Sequence, residues 1–266
     1  MIAATRAEFR KFFSTRLWWG MALAMLIAGA LFAVAFGFLL TQDQSALPPE
    51  QRTVGNAEQI VNSVYTAGLS VGYLLTLTIG IMQIGSEYRH KTITSTFLAV
   101  PKRARVMLAK VISLLAIGAL YGLISLVGSV AAGAVVLNAR GVDPFPSTDV
   151  LRVLALSLLV LGLWALIGLG VGILIPNQVA ALLIAIGVAW IVEPLAGFGL
   201  SFWDWGAEHI VPYLPSSATQ AMVGGVQSGG ATSTQLEWWA GALVLAGYAV
   251  VLAGLGIWRT LRSDIS

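Results

Sequence analysis

Few side chains in this chain are equipped for chemistry, and their types and spacing exclude most reactions. Cysteine is absent and the two histidines, His90 and His209, lie far apart. No H-E-x-x-H or G-x-x-x-x-G-K-[ST] pattern occurs, so metal-assisted hydrolysis and nucleotide hydrolysis lack their residues, and the wide separation of the two histidines gives a serine triad little support. The glycines of GLGVGIL, 168–174, lie inside an apolar run, where close helix packing explains them better than dinucleotide binding. What remains is a small set of charges beside apolar segments. Glu193 sits near the outer end of one such run. A carboxylate there either reaches interfacial water and caps the following turn, or serves as a gate or substrate contact. Glu87 stands next to Arg89. That is a local ion pair at a helix terminus, worth about 0–1 kcal/mol if exposed, or a contact at the boundary between membrane and water.

Both carboxylates take their meaning from the elements around them. Of 266 residues, 58% are hydrophobic and 10% charged, against about 25% charged in a soluble domain. The composition is that of an all-α polytopic membrane protein. Six runs are long or apolar enough to cross a bilayer: 17–40, 63–84, 106–137, 151–175, 179–192 and 236–258. The whole chain, 1–266, reads as a single transmembrane domain. Ahead of the first span, residues 1–16 form a basic segment with Ile2, Phe9, Phe12 and Phe13 on one helical face, suited to lying along the membrane interface. Its long charged region and the 17–40 run do not match a cleavable signal peptide. Residues 195–235, rich in glycine and aromatics, are too interrupted to span, and predict one or two short helices dipping into the outer leaflet before the sixth span.

Between the second and third spans lies a polar, basic island, residues 85–110, GSEYRHKTITSTFLAVPKRARVMLAK. It reads as carrying a short helix from about residue 89 to 100, stopped by Pro101. Lys and Arg set the orientation. Twelve fall on the N-terminal segment, the island and the C-terminus, and three (Arg52, Arg140 and Arg152) on the alternating loops. This predicts cytoplasmic termini and a cytoplasmic island that meets a partner. The spans hold almost no ionisable groups, which argues against proton- or sodium-driven transport. In the third span Gly118, Gly122, Ser125, Ser129 and Gly133 form a small-residue stripe, suited to packing within the chain or, less simply, to a subunit contact.

The island, the basic amphipathic N-terminus, the six spans and PYLPSSATQ at 212–220 together resemble the membrane subunits of ABC-2 type ABC transporters over essentially the whole chain. In that family the island has an acidic residue, a short basic helix with Thr, then Pro and Arg before a long third span. Here these are Glu87, Arg89-His90-Lys91-Thr92, Pro101, Arg103 and Lys110. The family often has Gly ahead of the Thr, where this chain has His90-Lys91. The resemblance implies a permease subunit of a bacterial exporter of a drug, antibiotic, lipid or other amphiphile, in the bacterial plasma membrane among membrane lipids. It would work as a dimer with a second, identical or related permease. It would bind no cofactor itself, with ATP and Mg held by a separate ABC ATPase, and would bind no nucleic acid. Residues 85–105 would be the coupling region. Within it Glu87, Tyr88, Arg89, Lys91, Thr92, Ile93, Phe97 and Val100 would engage the ATPase. A polytopic scaffold or sensor with a docking loop, and an intramembrane enzyme, are the competing classes. The second lacks a catalytic constellation.

Overall fold

A computed structural model describes residues 2–42, 56–92, 103–224 and 236–262. Among them every regular element is helical. In chain order these are α1 (Ile2–Phe13), α2 (Leu17–Leu40), α3 (Ala57–Thr66), α4 (Leu69–Arg89), α5 (Arg103–Ala139), α6 (Asp149–Leu174), α7 (Gln178–Gly187), α8 (Glu193–Ser201), α9 (Asp204–His209), α10 (Pro215–Val223) and α11 (Trp238–Arg262). Six helical stretches are long and apolar enough to cross a membrane: α2, α3–α4 together, α5, α6, α7–α8 together, and α11. The protein is a multi-pass membrane protein.

Burial separates the spans into two groups. The apolar windows of α3–α4, α5 and α6 are 56%, 50% and 67% buried, those of α2, α7–α8 and α11 only 22%, 22% and 28%. The interior is thus built from spans two, three and four, with α6 at its centre. Glycines permit the close approach. A methyl on Gly80 would strike the Ala165 carbonyl, and one on Gly168 the Leu77 carbonyl, so α4 and α6 meet backbone to backbone. The α5 stripe serves three neighbours within the chain. Gly118 and Gly122 face Gly162 and Leu158 of α6, Ser125 receives Gly29 of α2, and Gly133 receives Val64 and Tyr65 of α3.

Several expected boundaries move. The second span begins at Ala57, not 63, and bends at Ala67-Gly68, where Gly68 abuts Gly29 of α2. The third runs from Arg103 to Ala139 as one 37-residue helix. The fifth does not end at 192. It passes through a π-helical turn, Val188–Val192, and continues as α8 to Ser201. Pro194 does not stop it: the π-helical turn directly before it, where the Glu193 N–H reaches back to the Val188 carbonyl, is the local adjustment by which a membrane helix passes a residue with no N–H. Glu193 therefore lies inside the fifth span. Beyond it come α9, a 3-10 turn (Val211–Tyr213) and α10, whose Ala218, Met222 and Val223 are buried. Trp164 of α6 holds α10 in place. It stacks on Tyr73 at 4.5 Å and donates its indole N–H to Thr219 Oγ1 at 3.0 Å.

The island also differs from expectation. The α4 helix continues through Arg89, and its C-cap His90 is followed by Lys91 at φ 54°, a left-handed conformation. The helical state resumes at Thr92. The helix expected from about residue 89 to 100 falls, beyond Thr92, outside the described residues, and Arg89 itself belongs to α4.

Candidate functional site: a buried charge cluster at the island

Two helical spacings bring four charges together. Glu8 and Lys11 are three apart on α1, and Gln83 and Glu87 four apart on α4, so each pair shares a face. Lys110 lies about two turns into α5. Its Nζ is 2.8 Å from Glu8 Oε2 and 2.7 Å from Glu87 Oε1, with the side chain 0% exposed. Lys11 Nζ closes the circuit, 2.7 Å from Glu87 Oε1 and 3.1 Å from Glu8 Oε1. Gln83 Nε2 donates to Glu8 Oε2 at 3.2 Å. Two carboxylates and two ammoniums make the cluster formally neutral. That balance allows charges to persist where burial would otherwise discharge them.

Burial opposes the ionised forms of Glu8 and Lys11 alike. For Glu8 the Lys110 and Lys11 ammoniums outweigh it and hold the carboxyl below its ordinary value. For Lys11 the hydrogen bonds and charges of Glu87 and Glu8 outweigh it and push the ammonium up. Both groups are thus held charged by their partners.

Aromatic packing secures the same junction. Phe12 is buried and meets Tyr121 of α5 edge-on at 5.9 Å. The Tyr121 hydroxyl donates to the Trp18 carbonyl at 2.6 Å, tying α5 to the start of α2. Phe13 packs edge-on against Trp18 at 5.8 Å. The apolar face expected on α1 is realised in Phe9 and Phe12. Ile2 is 88% exposed, and the inward face includes Glu8.

The candidate residues of the island thus separate. Glu87 does not pair with Arg89. It turns inward to Lys11 and Lys110, while Arg89 is exposed at the helix end. Tyr88 is half-buried and packs against the core, and Lys91 and Thr92 are exposed. Ile93, Phe97 and Val100 lie outside the described residues. Glu193 belongs to a different place. It is buried, and its Oε1 accepts the Ser216 N–H at 2.5 Å, capping the N-terminus of α10. Of the two readings of this residue, the capping contact is the one with a visible partner, although the capped helix lies 23 residues on.

The profile of the ABC-2 family transporter proteins matches residues 2–265. The chain belongs to the ABC-2 transporter family. It is the transmembrane subunit of an ABC transporter, in a family of transport subunits that usually work with an ATP-binding subunit. No curated protein matches the chain. Glu87 and Lys110 are the acidic residue and the last basic residue of the island pattern on which the resemblance rests. In the folded chain these two are in contact.

Glu8 and the burial of Lys110 were missed in the sequence. The signal was there. Lys110 is flanked by MLA and VISLL, and Glu8 is the one acidic residue in the first 42. A lysine inside an apolar run needs a counter-charge.

Proposed function

We propose that this ABC-2 permease is half of an ATP-driven exporter of an amphiphile such as a drug, antibiotic or lipid. In this reading it sits in a bacterial plasma membrane with both termini and residues 85–110 cytoplasmic. A second copy or a related permease completes the pathway. The observation that carries the reading is the buried cluster that joins α1, α4 and α5 where the island leaves the membrane. An external motor needs a rigid handle. Glu87 is the last buried residue of α4 before the island and Lys110 the buried residue of α5 after it, and their contact makes the island's two roots one mechanical unit. The exposed apolar faces of α2 and α7–α8, with Leu23, Ile27, Leu31, Leu183, Trp190 and Ile191 among them, suit lipid and a second permease.

The ATPase contact runs through residues 87–100. Ile93, Phe97 and Val100 recur at helical spacing and fill a groove, while Arg89 and Lys91 orient the docking from its rim. ATP and Mg belong to the partner. The experiment is co-purification with the ATPase and measurement of amphiphile-stimulated hydrolysis. Phe97→Ala is expected to weaken association by about 2 kcal/mol or more and to uncouple hydrolysis from transport while membrane insertion stays normal. Wild-type yield with full coupling in Phe97→Ala would exclude this role. Sidedness has its own test. The chain has no native cysteine, so labelling of Ser95→Cys by an impermeant reagent outside intact cells would refute a cytoplasmic island.

A further inference from the structure

Beside the charge cluster is a cavity of about 430 Å³ between the end of α1, the start of α2 and the last turns of α4. Its position, from Leu17 at the foot of span one to Ser86 and His90 at the end of span two, places it at the membrane boundary. Phe12, Leu17, Ile79 and Met82 give it apolar walls.

Much of the polar lining presents acceptors. Ser14 Oγ donates to Lys11 O at 2.9 Å, Thr15 Oγ1 to Phe12 O at 2.9 Å, and Ser86 Oγ to Gln83 O at 3.4 Å. A hydroxyl has one proton and two lone pairs, so each of these three is left as an acceptor. His90 Nδ1 is 2.8 Å from the Ser86 carbonyl oxygen. A carbonyl cannot donate, so Nδ1 carries the proton, and in the neutral ring Nε2 is an acceptor. Gln83 spends one N–H on Glu8 and keeps its second N–H and its carbonyl oxygen. Glu87 is in the same wall, but its unpartnered Oε2 is closed off from the cavity surface. The one cation among these groups, Lys11, already gives two of its three N–H bonds to carboxylates.

We propose that this cavity binds the ammonium head of a primary-amine amphiphile, with the tail along Phe12, Leu17, Ile79 and Met82. An ammonium has three donors and no acceptor, which complements an acceptor-rich pocket beside a charge cluster that is already neutral. A carboxylate or phosphate head finds few free donors. A hydroxyl head satisfies one acceptor only. The source is either a resident aminophospholipid or a single-tailed amine entering from the leaflet, and both present the same head. The inference rests on the transport reading only in making this ligand the cargo. Binding itself is measured without the ATPase.

The test uses the full chain in phosphatidylcholine nanodiscs and three photoreactive probes with one tail, carrying a mid-chain diazirine and ending in an amine, an alcohol or a carboxylic acid. The amine is expected to label the α1–α2 junction and the end of α4. Labelling should exceed that of the acid by about tenfold, the effect of one charge-assisted hydrogen bond. Dodecylamine should compete for it, and phosphatidylethanolamine in the nanodisc should compete only if the aminophospholipid is a ligand. Ser86→Phe, and separately Ser14→Phe from the exposed side, should abolish site labelling at unchanged melting temperature. Equal labelling by the three heads, or label spread over the lipid-facing spans, overturns the site, as does full labelling of both filled variants. The permease reading survives that result if the ATPase still co-purifies and couples. Site-specific amine labelling supports the site, and amine-stimulated hydrolysis by the complex makes the amine its cargo.

Discussion

Lys110 and Glu8 are 102 residues apart in the chain and 2.8 Å apart in the fold, both almost wholly buried. No local preference places them there. The contact exists because α1 folds back beneath span three, and it makes an amphipathic N-terminal helix part of the transmembrane core.

Removing one charge from the cluster should cost more than removing two. Lys110→Met leaves Glu8 and Glu87 to share Lys11, and breaking a buried pair this way costs about 3–5 kcal/mol. Folded yield and melting temperature should fall sharply. Adding Glu8→Gln to Lys110→Met restores neutrality and should recover part of the loss. A double variant no more stable than the single one would show that the charges act independently.

The same cluster sets a pH window. Glu8 titrates below its ordinary 4.5 when folded, so its contribution is complete above 4.5 and is lost as pH falls through the lower folded value. Lys11 titrates above its ordinary 10.5, so its contribution is complete below 10.5 and is lost as pH rises through the higher folded value. A spin label on Ile2→Cys, at an exposed position of α1, should report constant mobility across neutral pH and release of the helix in acid below 4.5. Release already at pH 6 would contradict the depressed Glu8.

Lys91 occupies a left-handed backbone at φ 54°, a conformation that costs a side-chain-bearing residue about 1–2 kcal/mol. Lys91→Gly should therefore raise the melting temperature. It also removes a rim charge, so ATPase association in low salt should weaken slightly and the difference should shrink as salt is added. Destabilisation by Lys91→Gly would mean that the Lys91 side chain carries packing that outweighs the strain.

Glu193 separates capping from transport. Gln keeps an acceptor for the Ser216 N–H, and Ala does not. Glu193→Ala should lose about 1 kcal/mol, the usual worth of a cap, while Glu193→Gln stays close to wild type in melting temperature and in stimulated hydrolysis. If Glu193→Gln folds normally but loses stimulated hydrolysis, the carboxylate charge belongs to the pathway.

Span number and order were legible in the sequence because hydropathy over some twenty residues is a strong signal. Boundaries were less so. Glu193-Pro194 reads as an end, yet α7 and α8 run through it, because a π-helical turn just before Pro194 carries the helix past the missing N–H. Glu87 was recognised as a boundary residue, but its partners were not, since Arg89 is its neighbour in sequence while Lys11 and Lys110 reach it only through tertiary packing. The family's Gly ahead of the Thr, replaced here by Lys91, falls at the left-handed residue just after α4, a backbone feature the sequence alone does not show.

The third span carries a further mechanical meaning. α5 is one helix of 37 residues with no proline, about 55 Å long at 1.5 Å per residue, against about 30 Å of hydrocarbon. A rod of that length is a lever, and tilting it by about 10° about its midpoint swings each end by roughly 5 Å. Lys110 sits near one end. Near the other, Leu137 is buried in a small separate core with Ala33, Val61, Val64, Tyr65 and Val150, and the Tyr65 hydroxyl is hydrogen-bonded to the Pro144 carbonyl at 2.9 Å. Any push on the island's root is therefore felt first, on the far side of the membrane, as a displacement of Leu137 within that cluster.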